Sequence, residues 1–317
     1  MTSFEKDISA LRASIGRAIL GKENVIEEIL ICLLARGHLL IEDVPGVGKT
    51  TLALALARSI DGKFQRVQFT SDLLPSDVLG VTIFNSDSRE FEFKPGPIFT
   101  NILLADEINR TTPKTQSALL EAMQDGAVTV ERITHPLPQP FMVVATQNPI
   151  EFHGTYPLPE SQLDRFLMRI PMGYPSPEAE QRILETKGRR ETAHEITPVC
   201  SGQRIAEMQH AVTEVRVDPS LSKYMLELVN RTRKASDLEL GVSPRGAISL
   251  FKASQARAFI QGRDYATPDD IKQLIVPTLA HRLILSGRRS AALGVRDGDS
   301  MAQTVLAEIA STVEVPV

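Results

Sequence analysis

The stretch IEDVPGVGKTTL, residues 41–52, determines the expected fold of this 317-residue chain. It is typical of a strand that runs into a glycine-rich turn and then into the apolar start of a helix. The backbone N–H groups of such a turn point inward, and the helix N-terminus adds partial positive charge, so phosphate groups bind there. Lys49 is placed to reach the outer phosphates, and the Thr50 hydroxyl is placed to ligate Mg²⁺.

This stretch departs from the strict pattern Gly-x4-Gly-Lys-[Ser/Thr], because Asp43 stands at the first position. Gly46 and Gly48 are retained, and Pro45 holds the turn. An ordinary strand–turn–helix corner would also fit these residues, so the prediction of phosphate binding depends on what the rest of the chain provides.

Composition indicates a soluble globular protein, with 42% hydrophobic and 23% charged residues. The formal net charge of −4 gives no overall field that would favour nucleic acid or an anionic membrane. The N-terminal segment MTSFEKDISALRASIG has no long apolar core, and no apolar run is long enough to span a bilayer. We therefore expect no membrane span and a cytoplasmic location. Cys32 and Cys200 are expected to be buried or incidental thiols rather than a disulfide.

Strands and helices alternate along the first half of the chain, which favours a parallel sheet with helices on both faces. The predicted strands are 38–41, 66–69, 102–105 and 141–146. Residues 173–177, GYPSP, are typical of a linker, and the periodicity beyond them is almost wholly helical. We thus predict an α/β core over residues 1–174 and a helical domain over 175–317.

Two inserts interrupt the alternation. Residues 80–97 alternate apolar and polar side chains around a Ser-Asp-Ser turn, as a hairpin does. Residues 126–140 have the pattern of a second hairpin, closed by prolines. Both inserts are expected to project from the core.

Two acids follow the apolar strand ILLA, and an amide follows the next strand along the chain. Acids at the carboxyl end of a parallel strand lie beside the ligand crevice. Asp106 could hold the Mg²⁺ shell, and Glu107 could orient a water molecule against a γ-phosphate. Asn148 could help to place that water, or it could be a turn residue before Pro149.

Two arginines each allow two interpretations. Arg165, in LPESQLDRF, could form a surface ion pair with Asp164 or could reach into the nucleotide site of a neighbouring subunit. Arg245, in SPRG at a predicted helix start, has the same two possibilities.

Together these elements resemble an AAA+ ATPase, and specifically the MoxR family. The resemblance covers about residues 5–310. It is carried by AILGKENVIEEIL (18–30), HLLIEDVPGVGKTTLA (38–53), GPIFTNILLADEINRTTPKTQSALLEAMQDG (96–126), VVATQNPIEFHGTYPLPESQLDRF (143–166) and GVSPRGAISLFKASQARAFI (241–260). Asp43 is similar to the family's usual variant of the phosphate loop. His153 stands where the family tends to have an acid, and no function is assigned to it.

The resemblance implies a role for each matching residue. Glu107 is similar to the catalytic acid of Walker B, Asn148 to sensor 1, Arg165 to the arginine finger and Arg245 to sensor 2. Gly21 is similar to the segment near adenine. The implied contacts to ATP are made by Gly21, Pro45, Gly46, Val47, Gly48, Lys49, Thr50, Thr51 and Asp106, and the implied ligands of Mg²⁺ are Thr50 and Asp106.

The resemblance also implies an assembly. An arginine finger acts on another subunit's phosphates, so we expect a homo-oligomeric ring, since head-to-tail contacts of one kind close into rings. We expect this ring to be a hexamer. The family works as a chaperone-like remodelling ATPase with a von Willebrand factor A domain partner on client protein complexes, in their maturation or metal insertion.

Three alternatives remain open at this point: a chelatase-type motor subunit, a helicase-branch nucleic-acid motor and a scaffold that binds ATP without turning it over. A nucleic-acid motor would need basic residues on its hairpin, and residues 126–140 offer only Arg132 and His135 beside Glu131. Nucleic acid is therefore the less expected partner.

Overall fold

We describe the protein from a computed structural model, in residues 2–148, 155–185, 191–286 and 298–316. His153 lies outside these described residues. None of the helices in the described ranges is long and apolar enough to cross a membrane. Cys32 and Cys200 are both buried and free, as the sequence predicted.

The core is built on one parallel sheet. Five strands form this sheet, and six others form three antiparallel pairs. In chain order the described strands are β1 Leu39–Glu42, β2 Phe64–Gln68, β3 Gly80–Asn85, β4 Glu90–Pro95, β5 Ile102–Asp106, β6 Ala127–Val130, β7 Ile133–Pro136, β8 Met142–Gln147, β9 Met168–Ile170, β10 Leu238–Leu240 and β11 Ile284–Leu285. The sheet order is β2-β5-β8-β1-β9, with every pairing parallel. The carboxyl ends of β5, β8 and β1 therefore lie side by side.

Helices cover both faces of this sheet, which confirms the predicted layers. The described helices are α1 Thr2–Ala18, α2 Glu23–Leu34, α3 Lys49–Ser59, α4 Pro75–Leu79, α5 Pro113–Asp125, α6 Glu160–Leu163, α7 Pro177–Glu185, α8 Glu191–His194, α9 Gly202–Thr213, α10 Pro219–Lys234, α11 Pro244–Ile260, α12 Pro268–Leu279 and α13 Gly298–Thr312. Leu39 and Ile41 of β1 are buried on the face with α1, α2 and α3, whereas Leu40 is buried against the other face. This alternation follows from the two-residue period of a strand.

The two predicted hairpins are present. Strands β3 and β4 pair antiparallel, as do β6 and β7. They contact each other through the rings of Phe93 and His135, which stack with their centroids 4.1 Å apart. Phe84 and Phe91 lie near the tip of the first hairpin and are 57% and 74% exposed.

The C-terminal part is helical, as expected, and its helix starts agree with the proline signals of the sequence. Asp218 directly precedes Pro219, and its side chain accepts a hydrogen bond from the Ser220 backbone N–H at 2.8 Å. Thr267 and Asp270 form a capping box at the start of α12. This part also carries one short antiparallel pair, β10 with β11, which sequence periodicity did not reveal.

A cavity of about 320 Å³ lies between the core and the helical part, lined by residues that include Glu28, Glu42, Arg169 and Gln303. Burial, with a smaller contribution from Glu27, raises the pKa of Glu28 from 4.5 to about 7. The folded protein therefore binds more protons than the unfolded chain between these values, and folding stability falls as pH rises from 4.5 to 7.

We predict that Glu28→Gln stabilises the fold above pH 7, where the buried charge is fully present, and has little effect near pH 4.5. The expected gain is on the order of 1–3 kcal/mol, from the size of the pKa shift and partial exposure. Urea unfolding at pH 5 and pH 8 measures it. Glu23→Gln, at an exposed position of the same helix, is the control. Equal effects of Glu28→Gln at both pH values would contradict the prediction.

Candidate nucleotide site

The loop after β1 has the backbone conformation that a phosphate-binding turn needs. Gly46 and Gly48 have φ of 90° and 101°, a region that side chains disfavour. An ideal Cβ at Gly46 would have no neighbour within 4 Å, so its backbone faces open space. Gly48 precedes the first residue of α3, and the helix N-terminus is directed at the same space.

The two acids predicted after β5 lie beside this loop. Glu107 has φ of 57° and ψ of 51°, an uncommon left-handed conformation for a non-glycine residue. The Thr146 hydroxyl on β8 donates to Asp106 Oδ1 at 2.6 Å and accepts from the Glu107 backbone N–H at 2.9 Å. A single hydroxyl on the neighbouring strand thus sets the position of both acids.

Further side chains from the edge of the sheet hold the acids from the other side. The Arg66 guanidinium on β2 donates to Asp106 Oδ2 at 2.6 Å, and Gln68 Nε2 donates to Glu107 Oε2 at 2.7 Å. Arg110 forms a 3.0 Å ion pair with Glu107. Sequence reasoning placed Arg66 and Gln68 on a strand but gave them no role at the site. The sequence feature that could have indicated a role is the spacing of Arg66 and Gln68, two positions apart, which puts both side chains on the same face of the strand that pairs with β5.

The phosphate loop and the two acids, together with Arg66 and Gln68, line one cavity of about 460 Å³. Asn148 lies there and is only 7% exposed. His194, from α8 of the C-terminal part, is a lining residue that sequence reasoning missed. The lining is Pro45, Gly46, Gly48, Lys49, Thr50, Thr51, Leu54, Arg66, Gln68, Asp106, Glu107, Asn148, Ala193 and His194.

The donor set fits a nucleoside triphosphate with Mg²⁺. Burial lowers the pKa of Lys49, while the nearby carboxylates, Asp43 foremost, counteract this shift. Thr50 and Asp106 both line the cavity. A hydroxyl and a carboxylate are oxygen ligands that Mg²⁺ takes together with substrate phosphates. Among the described residues no group of three or more metal-binding side chains forms a site made by protein alone.

Asp43, the departure from the strict motif, has a structural explanation. Its carboxylate accepts from the backbone N–H of Val44 at 2.7 Å, of Met172 at 2.8 Å and of Gly173. Its backbone oxygen accepts from Lys49 Nζ at 2.5 Å. Asp43 therefore connects the phosphate loop to residues 172–173, which lead toward α7. A glycine at this position would have no side chain to accept these bonds.

We predict that Asp43→Gly, which restores the strict pattern, destabilises the protein. Three amide donors lose a charged acceptor, so we expect a loss of about 2 kcal/mol, measured by urea unfolding. Asp61→Asn, at an exposed turn position, serves as the control. An Asp43→Gly variant as stable as the parent would show that the hydrogen bonds between Asp43 and residues 172–173 contribute nothing to the free energy of unfolding.

Arg165 and Arg245 are not among the residues that line this cavity. The guanidinium of Arg245 is 4.0 Å from Asp164 and 3.3 Å from Gln124 on α5. The Nε atom of Arg165 is buried and has no hydrogen-bond partner among the residues that the structure describes. Asp164 is paired with Arg282 rather than with Arg165.

Gly21 also lies outside the lining of the cavity. Its φ is 69°, and an ideal Cβ there would approach the Cβ of Ala179 to 3.1 Å. The neighbouring Lys22 donates through Nζ to the Tyr174 backbone oxygen. Val47 is partly buried and packs against the core.

Comparison with known proteins agrees with this architecture. Residues 38–168 match the family described as ATPase family associated with various cellular activities, AAA, and residues 230–304 match an AAA lid domain. The chain is similar over its whole length to a crystal structure of a candidate ATPase from Cytophaga hutchinsonii. The TM-score is 0.90 with 38% identity, covering 100% of this chain and 97% of that one.

Two relatives extend the comparison. YeaC of Bacillus subtilis is 50% identical over 319 residues, which cover 99% of this chain and 98% of that protein. Chaperone MoxR1 of Mycobacterium tuberculosis is 42% identical, and the match covers 85% of this chain and 74% of that protein. The fold, the phosphate loop and these similarities show that this chain belongs to the MoxR family of AAA+ ATPases.

Proposed function

We propose that this protein hydrolyses ATP with Mg²⁺ and uses the energy to remodel client protein complexes, as a MoxR-type chaperone. The observation that carries the proposal is the convergence of the phosphate loop, Asp106, Glu107 and Asn148 on one cavity. The relative named Chaperone MoxR1 supports the remodelling role. The core is taken as residues 1–174 and the helical lid as 175–317.

In this mechanism the phosphate loop and Lys49 bind the phosphates of ATP. Thr50 and Asp106 hold Mg²⁺, which supplies charge neutralisation of the phosphate oxygens when it is bound. Glu107 takes a proton from the attacking water, and Asn148 orients that water. Arg66 and Gln68 keep the two acids aimed at the cavity.

Arg165 and Arg245 act on the site of the neighbouring subunit in a ring, which we propose to be a hexamer. Two observations support this: neither arginine lines its own chain's cavity, and Arg245 lies 4.0 Å from Asp164, the residue that precedes Arg165 in the chain. An arginine suits the task because its planar guanidinium matches the geometry of phosphate oxygens.

We further propose that the protein is cytoplasmic and that its partner is a separate protein with a von Willebrand factor A domain. The exposed aromatic side chains of the first hairpin support a contact surface for it or for the client. The similarity to MoxR1 favours this reading over the chelatase and helicase alternatives.

Mixing subunits tests the shared site. Glu107→Gln subunits keep a working finger, and Arg165→Ala subunits keep a working catalytic acid. Each is inactive alone, but a mixed ring contains sites in which an intact acid faces an intact finger. We therefore expect ATP hydrolysis to recover on mixing. Mixed rings, verified by native mass spectrometry, that remain inactive at every ratio would refute the action of Arg165 on a neighbour.

A further inference from the structure

Arg282 is a buried charged side chain of the helical part that contacts the core, with 1% of its side chain exposed. It follows α12, in the short 3₁₀ turn Ala280–Arg282. Burial of an arginine requires that its donors be satisfied, and most of its partners here are groups of the core.

Those partners lie on both sides of Arg165. Arg282 Nε donates to Asp164 Oδ1 at 2.8 Å, and Nη2 donates to the Phe166 backbone oxygen at 2.6 Å. Longer contacts reach the backbone oxygens of Asp164 at 3.3 Å and Leu167 at 3.4 Å. One guanidinium thus holds the segment 164–167 from which the Arg165 side chain projects.

The same cluster includes the start of α11. The Ser243 hydroxyl donates to the Asp164 carboxylate, with both oxygens at 3.0 Å, and it also caps the Gly246 backbone N–H at 3.1 Å. Arg245 lies two residues along this helix start, 4.0 Å from Asp164. Asp164 therefore joins the segments of Arg165 and Arg245, and Arg282 fixes Asp164.

We propose that Arg282 is a positioning residue for the arginine finger. Through Asp164 and the backbone oxygens around Arg165, the lid of one subunit fixes the position of the Arg165 side chain that acts on the neighbouring subunit. This rests on the proposed function, in which Arg165 serves a neighbouring site. Arginine is required because its five donors reach the carboxylate and several backbone oxygens at once, whereas lysine donates from a single point.

The position of Arg282 predicts a specific defect in the variant Arg282→Gln. A misplaced finger costs activity on the order of 10²-fold, judged from displacements of about 1 Å near a reacting centre. Binding of a fluorescent ATP analogue is expected to stay unchanged, because Arg282 contacts no residue of the phosphate loop. Arg282→Lys is expected to keep the charge and fold but to lose most of the activity.

Subunit mixing separates positioning from general damage. Arg282→Gln subunits should recover activity when mixed with Glu107→Gln subunits, whose fingers are intact. They should not recover with Arg165→Ala subunits, since every finger is then defective. Arg263→Gln is the matched control: Arg263 pairs with the buried Asp270 in the same lid at 2.6 Å, far in the chain from the finger segment. We expect it to retain activity.

The outcomes are distinct. Failure of Glu107→Gln and Arg165→Ala subunits to complement each other in verified mixed rings overturns the proposed action of Arg165 on a neighbouring site, on which the role of Arg282 rests. If that pair complements, recovery of Arg282→Gln with both partners, or with neither, overturns the role of Arg282. Should Arg282→Gln not fold, Asp164→Asn removes the charged partner of Arg282 and is expected to show the same pattern of complementation. Full activity of Asp164→Asn alone would overturn the proposal.

Discussion

Replacing Arg165 by alanine is expected to lower ATP hydrolysis by the assembled protein by about 10³-fold or more, the range known for arginine fingers of nucleotide hydrolases. The physical reason is that a guanidinium stabilises charge that develops on the phosphate oxygens only in the transition state. Affinity for ATP should therefore change little. Steady-state phosphate release and binding of a fluorescent ATP analogue measure the two quantities separately.

A matched control is Arg216→Ala, which removes an exposed arginine from a surface ion pair with Asp264. Such pairs contribute little to stability, so activity should be retained. An Arg165→Ala protein that assembles and hydrolyses ATP at the parent rate would exclude a role for Arg165 in catalysis. A protein that no longer assembles would assign Arg165 to the subunit contact instead.

The parts of the site that lie at strand ends were predictable from the sequence. Each apolar run was long enough to be a buried strand, and parallel strands bring their carboxyl ends to one edge. That rule alone places the phosphate loop, Asp106-Glu107 and Asn148 together, and the observed order β5-β8-β1 makes them neighbours.

The contacts that fix these groups were not predictable in the same way. Arg66 meets Asp106 because β2 pairs with β5 in a register that aligns Gln68 with Asp106. Register between strands that are far apart in the chain depends on the whole sheet, and no local pattern specifies it. The hydrogen bonds that the backbone N–H groups of residues 172 and 173 donate to the Asp43 carboxylate depend on β9. This three-residue strand is too short to give a periodic signal in the sequence.

The helical lid shows a similar division. Its helix starts were visible as proline and capping residues, because those signals act within one turn. The contact of Arg282 with the finger segment joins residues 115–118 positions apart. The sequence shows only an arginine just after α12. That this arginine is buried against the core is a property of the folded chain and has no local signal.

Glu107→Gln is expected to slow ATP hydrolysis by about 10²–10⁴-fold, the usual contribution of a general base. Glutamine has the size of glutamate, and its oxygen can still accept the bond that Gln68 Nε2 donates at 2.7 Å. It cannot take a proton from water, and its ion pair with Arg110 is lost. The site should therefore bind ATP without hydrolysing it. Single-turnover assays with radiolabelled ATP would show this as nucleotide that remains bound and uncleaved.

The Glu107→Gln protein with ATP bound can also be used to identify the partner. If ATP binding holds the ring in its client-engaged form, a pull-down with Glu107→Gln and ATP should enrich a von Willebrand factor A domain protein over the same pull-down without nucleotide. Glu121→Gln, at an exposed position of α5, is the control and should hydrolyse ATP at the parent rate. Parent-level hydrolysis by Glu107→Gln would remove Glu107 from the mechanism, whereas nucleic acid in the trapped complex would favour a motor that acts on nucleic acid. Gln68 donates a hydrogen bond to Glu107 and lies seven residues before Pro75, where α4 begins. Because α4 leads directly into the first hairpin, only a short stretch of chain separates that hairpin from a hydrogen-bond partner of the catalytic acid.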